Sequence, residues 1–160
     1  MFQLSLSLLS KPPASRRSPL PRTLNQTQGG TMNLLTPDTL QYFLARFCTF
    51  YDAVLRSCSA FVSKEGKLSC DICIEAQDDE SPSGWSNVTL RLHGLKIVHL
   101  DRQVSGIEVL SFGLQVYFLQ DTVRVYLDPD PIHENMLELH DSLAYVIGKS
   151  LEWKAEVYPL

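Results

Sequence analysis

Among the side chains able to do chemistry, Cys70 and Cys73 come first, because a CxxC spacing serves dithiol redox and zinc sites. Both uses need the sulfurs to converge. Here Leu68, Cys70, Ile72, Ile74 and Ala76 alternate with Ser69, Asp71, Cys73 and Glu75, so the odd separation sends the two thiols to opposite faces of a strand. No second cysteine pair at zinc spacing follows, and Cys70 and Cys58 read as small core residues. Gly148-Lys149-Ser150 ends like a phosphate-binding loop, but the glycine required five residues earlier is Leu143. His133 and His140, on a helix, stand about 10 Å apart along its axis, too far to share one zinc. His133-Glu134 does not begin an HExxH motif, since position 137 is leucine. Ser105, His99 and Asp101 could be written as a triad, yet no nucleophile-elbow sequence surrounds the serine. The expectation is a non-catalytic protein with no cofactor and no metal.

Residues suited to binding are easier to find. Asp78, Asp79 and Glu80 form the acidic part of a polar loop, Gln77 to Gly84, and lack the ligand spacing of a calcium loop. Tyr117 falls on the opposite parity from Val116 and Phe118, and Arg124 and Tyr126 on the opposite parity from Val123, Val125 and Leu127. Alternation therefore places Tyr117, Arg124 and Tyr126 on a sheet face turned away from the core, where the tyrosines form either an exposed aromatic patch or a layer buried beneath the C-terminal segment. The expected contact surface combines Asp78, Asp79 and Glu80 with these three. Charge reversal in the acidic loop is expected to slow association with a basic partner and leave folding intact.

Charge is unevenly distributed. The net charge of −4 over 160 residues conceals +4 in residues 1–31, which carry Lys11, Arg16, Arg17 and Arg22 and no acid, and −8 in the remainder, from ten basic and eighteen acidic residues. The first 33 residues, rich in proline and serine and without sustained periodicity, are expected to be a disordered leader. Two explanations stay open: a transit-like segment, or an upstream extension of a chain whose translation starts at Met32. Residues 34–160 are expected to form a single domain. An acidic domain of this kind repels nucleic acid and attracts basic proteins. No apolar run approaches the roughly 18 residues of a membrane span, and four cysteines are too few for a disulfide framework. A cytoplasmic protein with reduced thiols is expected, or an organellar one if the leader directs import.

The elements that must position these groups follow from periodicity. Thr36-Pro37-Asp38 is a strong helix start, with threonine as N-cap, proline in the first turn and an acid near the positive end of the dipole. Leu40, Phe43, Leu44, Phe47, Tyr51, Val54, Leu55, Cys58 and Val62 then recur at three and four, which predicts one long amphipathic helix ending before Lys64-Glu65-Gly66. Period-two segments follow: Leu68 to Ala76, Val88 to Leu92, Leu95 to Leu100 after a bulge at Gly94, Ile107 to Phe112, Leu114 to Phe118, and Val123 to Leu127 after a turn at Gln120-Asp121. Pro129 and Pro131 end the sheet. A helix is expected from about Pro131 to Leu139, and residues 140–158 read either as helix or as strand. The predicted fold is α+β: a long N-terminal amphipathic helix packed on an antiparallel sheet of about five or six strands, closed by a C-terminal helix or strand segment.

In its small, acidic α+β character the chain resembles some bacterial toxin-immunity proteins over about residues 36–158, without a diagnostic motif that would transfer any residue's role. The expected function is a non-catalytic protein-binding module, an acidic immunity-like inhibitor of a basic partner. Two alternatives are a small-ligand-binding protein or enzyme with Arg91, His93 and Arg124 converging on a concave sheet face, and an oligomer subunit.

Overall fold

The computed structural model describes residues 31–100, 108–129 and 144–158. A three-residue strand, β1 (Asn33–Leu35), leads into α1 (Pro37–Arg46). The helix begins where the sequence says it should: the Thr36 hydroxyl accepts from the Thr39 amide, and the Thr39 hydroxyl accepts from the Thr36 amide at 3.0 Å. It does not continue to residue 62. After Phe47 the chain enters a left-handed turn in which Cys48, Thr49 and Phe50 have φ of 48°, 54° and 60°, and Asp52 follows at 56°. Each such residue costs about 1–2 kcal/mol, which burial of Phe47 and Phe50 helps to offset.

Ten strands make up the described part of the chain, so the fold is mostly β and the expected long helix on one sheet is overturned. After β1 come β2 (Ala53–Val62), β3 (Leu68–Gln77), β4 (Trp85–His93), β5 (Ile97–Leu100), β6 (Glu108–Leu110), β7 (Leu114–Leu119), β8 (Thr122–Leu127), β9 (Ala144–Gly148) and β10 (Ser150–Val157). They form two antiparallel sheets, one ordered β1-β10-β4-β3-β2-β6 and the other β5-β9-β8-β7.

The helical spacing over residues 54–62 came from a β-bulge. Leu55 pairs with Ile74 but Ser57 pairs with Cys73, which leaves Arg56 as an extra residue on the outer side. Inward positions therefore run Ala53, Leu55, Cys58, Ala60 and Val62, and the step of three at the bulge imitates a helical face. Cys58 accordingly lies on a strand and Cys48 in the left-handed 3-10 turn after Phe47, neither on α1.

Residues 144–157 are two strands, which excludes the helical reading of that stretch. Ala144 and Val146 enter the core while Tyr145 faces outward. The predicted helix at 131–139 and the predicted leader over residues 1–30 lie outside the described residues, as do His133, His140, Asp101 and Ser105.

The chain crosses between sheets twice at one corner, from β4 to β5 around Gly94 and from β9 to β10 at Lys149. The Lys149 amide donates to the His93 carbonyl at 2.8 Å, and the Lys96 amide to that of Ile147 at 2.8 Å, so the crossings are bonded side by side. Gly94 therefore redirects the chain into the second sheet, with φ of 60°, where a bulge within one sheet was expected. Gly148 is required because a Cβ there would stand 2.9 Å from the His93 carbonyl oxygen.

One apolar cluster joins everything: Ile72, Ile74, Leu90 and Leu92 from the first sheet, Val116, Val125 and Val146 from the second, and Phe43, Phe47 and Phe50 from α1 and its turn. Trp153 on β10 receives the helix, its ring 5.1 Å from that of Phe43 and 5.6 Å from that of Phe47.

Candidate functional site

The acidic loop between β3 and β4 is built around a buried carboxylate. Asp78 is fully enclosed, and Arg46, from the last turn of α1, grips it through Nε at 2.8 Å and Nη2 at 2.9 Å. The Ser86 hydroxyl donates to its Oδ2 at 2.6 Å, and the Glu80 amide donates to its Oδ1 at 3.0 Å. Burial alone would raise the Asp78 pKa, but the hydrogen bonds from Arg46, Ser86 and the Glu80 amide together outweigh it and hold the carboxyl below its ordinary value. The Asp79 amide donates to the Arg46 carbonyl at 3.1 Å, which ties the loop to the helix end.

Arg46 is the hinge pin of this corner. Its third nitrogen meets Glu80 at 2.7 Å, and its guanidinium lies over the rings of Phe47 and Trp153, 5.0 and 5.5 Å from their centroids. Hydrogen bonding to Asp78 raises its pKa, so it is charged at every physiological pH.

Asp79 and Glu80 are left facing outward. Tyr42, one turn before Arg46 on α1 and 58% exposed, donates its hydroxyl to Glu80. Beside Tyr42 runs a groove of about 420 Å³ lined by Met32, Leu34, Thr39, Phe43 and Trp153, among others. The result is an apolar and aromatic groove with the Glu80 carboxylate at its edge, held by Tyr42, and Asp79 next to Glu80 in the chain, bonded to the far end of the helix. Three acids set against one guanidinium leave −2 around the loop.

Tyr117, Arg124 and Tyr126 lie together, on the outer face of the second sheet. Tyr117 pairs with Arg124, and Gln115 with Tyr126. The Tyr117 and Tyr126 rings stand 5.8 Å apart, and the row extends through Tyr145 to His99, which stacks on Tyr145 at 4.8 Å. Tyr126 is itself buried, and the Arg124 Nε is buried with no hydrogen-bond partner among the described residues. Burial pushes the Tyr117 phenol pKa up. Close by, Lys96, Leu119, Asp121, Thr122 and Arg124 line a second hollow of about 450 Å³, across which Lys96 pairs with Asp121 at 3.1 Å.

The remaining expectations sort by face. Arg91 and His93 point from the outer face of the first sheet, bound to Asp71 at 2.7 Å and Glu152 at 3.0 Å, whereas Arg124 belongs to the outer face of the second. These three do not converge. Cys70 and Cys73 separate as alternation requires, Cys70 inward and Cys73 outward beside Thr89. Among the described residues no three ligand-type side chains gather in a way that could hold a metal, and no helix is long and apolar enough to cross a membrane.

Sequence reasoning missed Tyr42 and Arg46. Tyr42 and Arg46 are four apart on a helix that starts with a clear cap, so their shared side was legible; the partner loop 32 residues away was not. Comparison with family models, with curated proteins and with solved structures finds no match.

Proposed function

We propose that the chain is a non-catalytic binding module that receives a basic protein partner on the α1 surface. The observation that carries this reading is the placement of exposed Glu80 against Tyr42 at the edge of the groove, with exposed Asp79 next to it on a loop locked to the helix by the Arg46–Asp78 pair. Aromatic surface with a polar rim is the composition of protein interfaces. The rigid loop keeps the ordering cost of binding low. The excess of −8 in residues 32–160 supplies long-range attraction for a basic partner.

The test is retention of partners from the native extract by the wild-type chain and by an Asp79→Lys/Glu80→Lys variant. The wild type should retain a basic polypeptide whose association with the purified variant is slowed by about tenfold or more at low ionic strength. Tyr42→Ala should speed dissociation instead. Unchanged association in the charge-reversed variant, or a retained partner that is acidic, contradicts the reading.

A further inference from the structure

We infer that Cys58 and Cys70 form a site of reversible intramolecular disulfide formation, driven by exchange with a low-molecular-weight disulfide such as oxidised glutathione. Their sulfurs lie 3.6 Å apart, on adjacent strands and on the same inward face. Cys58 pairs with Ile72 and Cys70 with Ala60, so the two cysteines occupy a cross-strand diagonal. That relation is independent of the CxxC spacing, which joins Cys70 to a residue on the wrong face.

Access is graded in the way the chemistry needs. Cys58 is half-buried and Cys70 fully buried. Beyond Cys58 on the same face, Ala60 and Val62 are exposed, Val62 to 67%, so this end of the sheet stays open to a small reagent. The hydrogen bond with Cys70 lowers the Cys58 thiol pKa, and that same bond, with burial, raises that of Cys70. Cys58 is therefore the attacking sulfur and Cys70 the resolving one.

The Cys58 thiolate attacks one sulfur of the small disulfide, forming a mixed disulfide and expelling one glutathione thiolate. Cys70 then gives up its proton and attacks the Cys58 sulfur, expelling the second. Two electrons pass from the protein to glutathione disulfide, and the two thiol protons end on two glutathione molecules. Diagonal residues stand wider apart than the roughly 4.4–6.8 Å between α-carbons that a relaxed disulfide prefers, so the closed bond is strained along the strand direction. A bond made this way is readily reduced.

Incubation of the full chain with oxidised glutathione, followed by alkylation under denaturing conditions and peptide mapping, tests this. A Cys58–Cys70 linked peptide is expected, with two of the four thiols lost and both recovered on adding excess reduced glutathione. Cys48→Ser/Cys73→Ser should keep the linkage, and Cys70→Ser should stop at a mixed disulfide on Cys58. Mapping of the wild type decides the matter even if Cys70→Ser does not fold. Linkage through Cys48 or Cys73, a stable mixed disulfide on wild-type Cys58, or no loss of thiols overturns the inference.

Discussion

Asp78 shows how one carboxylate can be mistaken for surface charge. By residue type it belongs with Asp79 and Glu80; only the distant Arg46, which no local pattern pairs with it, reveals that it is enclosed. Charge reversal at Asp78 therefore cannot leave folding intact, unlike reversal at its two neighbours. Asp78→Ala should cost about 2–3 kcal/mol in denaturant unfolding, because it strips a partly buried guanidinium of its main partner. The lowered Asp78 pKa also has a sign in pH. Its stabilising contribution is complete above the unfolded aspartate value of about 3.9 and is lost as pH falls through the lower folded value. Acid titration of stability should accordingly be shallower in Asp78→Asn below about pH 4 than in the wild type. Gly113 offers a second test at this scale: with φ of 73° and the Thr49 carbonyl where a Cβ would go, Gly113→Ala should destabilise by about 2 kcal/mol or more.

Elements were legible wherever the period stayed uniform. The alternation in β3, β4, β7 and β8 gave correct faces, including the shared outer face of Tyr117, Arg124 and Tyr126, and the cap at Thr36 gave the true start of α1. The end of α1 was not legible. A left-handed turn built from Cys48, Thr49 and Phe50 has no glycine or asparagine to announce it, and the bulge at Arg56 disguised a strand as a helix. If Arg56 is the extra residue, deleting it should restore plain alternation without moving any later side chain to the other face. The Arg56 deletion should then stay folded, lose only the pair with Glu75, and leave the rate at which Cys58 reacts with a thiol reagent unchanged. Faster Cys58 alkylation in the deletion would show that β2 had slipped.

Division into two sheets was invisible at the sequence level, since period-two patterns do not say which strands pair; the crossover depends on hydrogen bonds between segments about 55 residues apart, as from Lys149 to His93. The doubled crossing and the shared cluster make the two sheets one cooperative unit. Far-ultraviolet circular dichroism, reporting the backbone of both sheets, and tryptophan fluorescence, reporting Trp85 and Trp153 on the first sheet, should lose signal at the same denaturant concentration; two separated midpoints would show that the sheets unfold apart. Charge at this scale was read correctly in amount but not in arrangement, because much of the outer face of the first sheet is neutralised by Arg56–Glu75, Arg91–Asp71 and Lys154–Glu156. Vectorial synthesis gives the packing of α1 on Trp153 a further meaning. The helix leaves the ribosome before every strand but β1, and the ring that covers Phe43 and Phe47 lies on the last described strand to be made. Through most of translation those aromatic side chains have no permanent cover, so the nascent chain is most open to chaperones, and to aggregation, until β10 emerges.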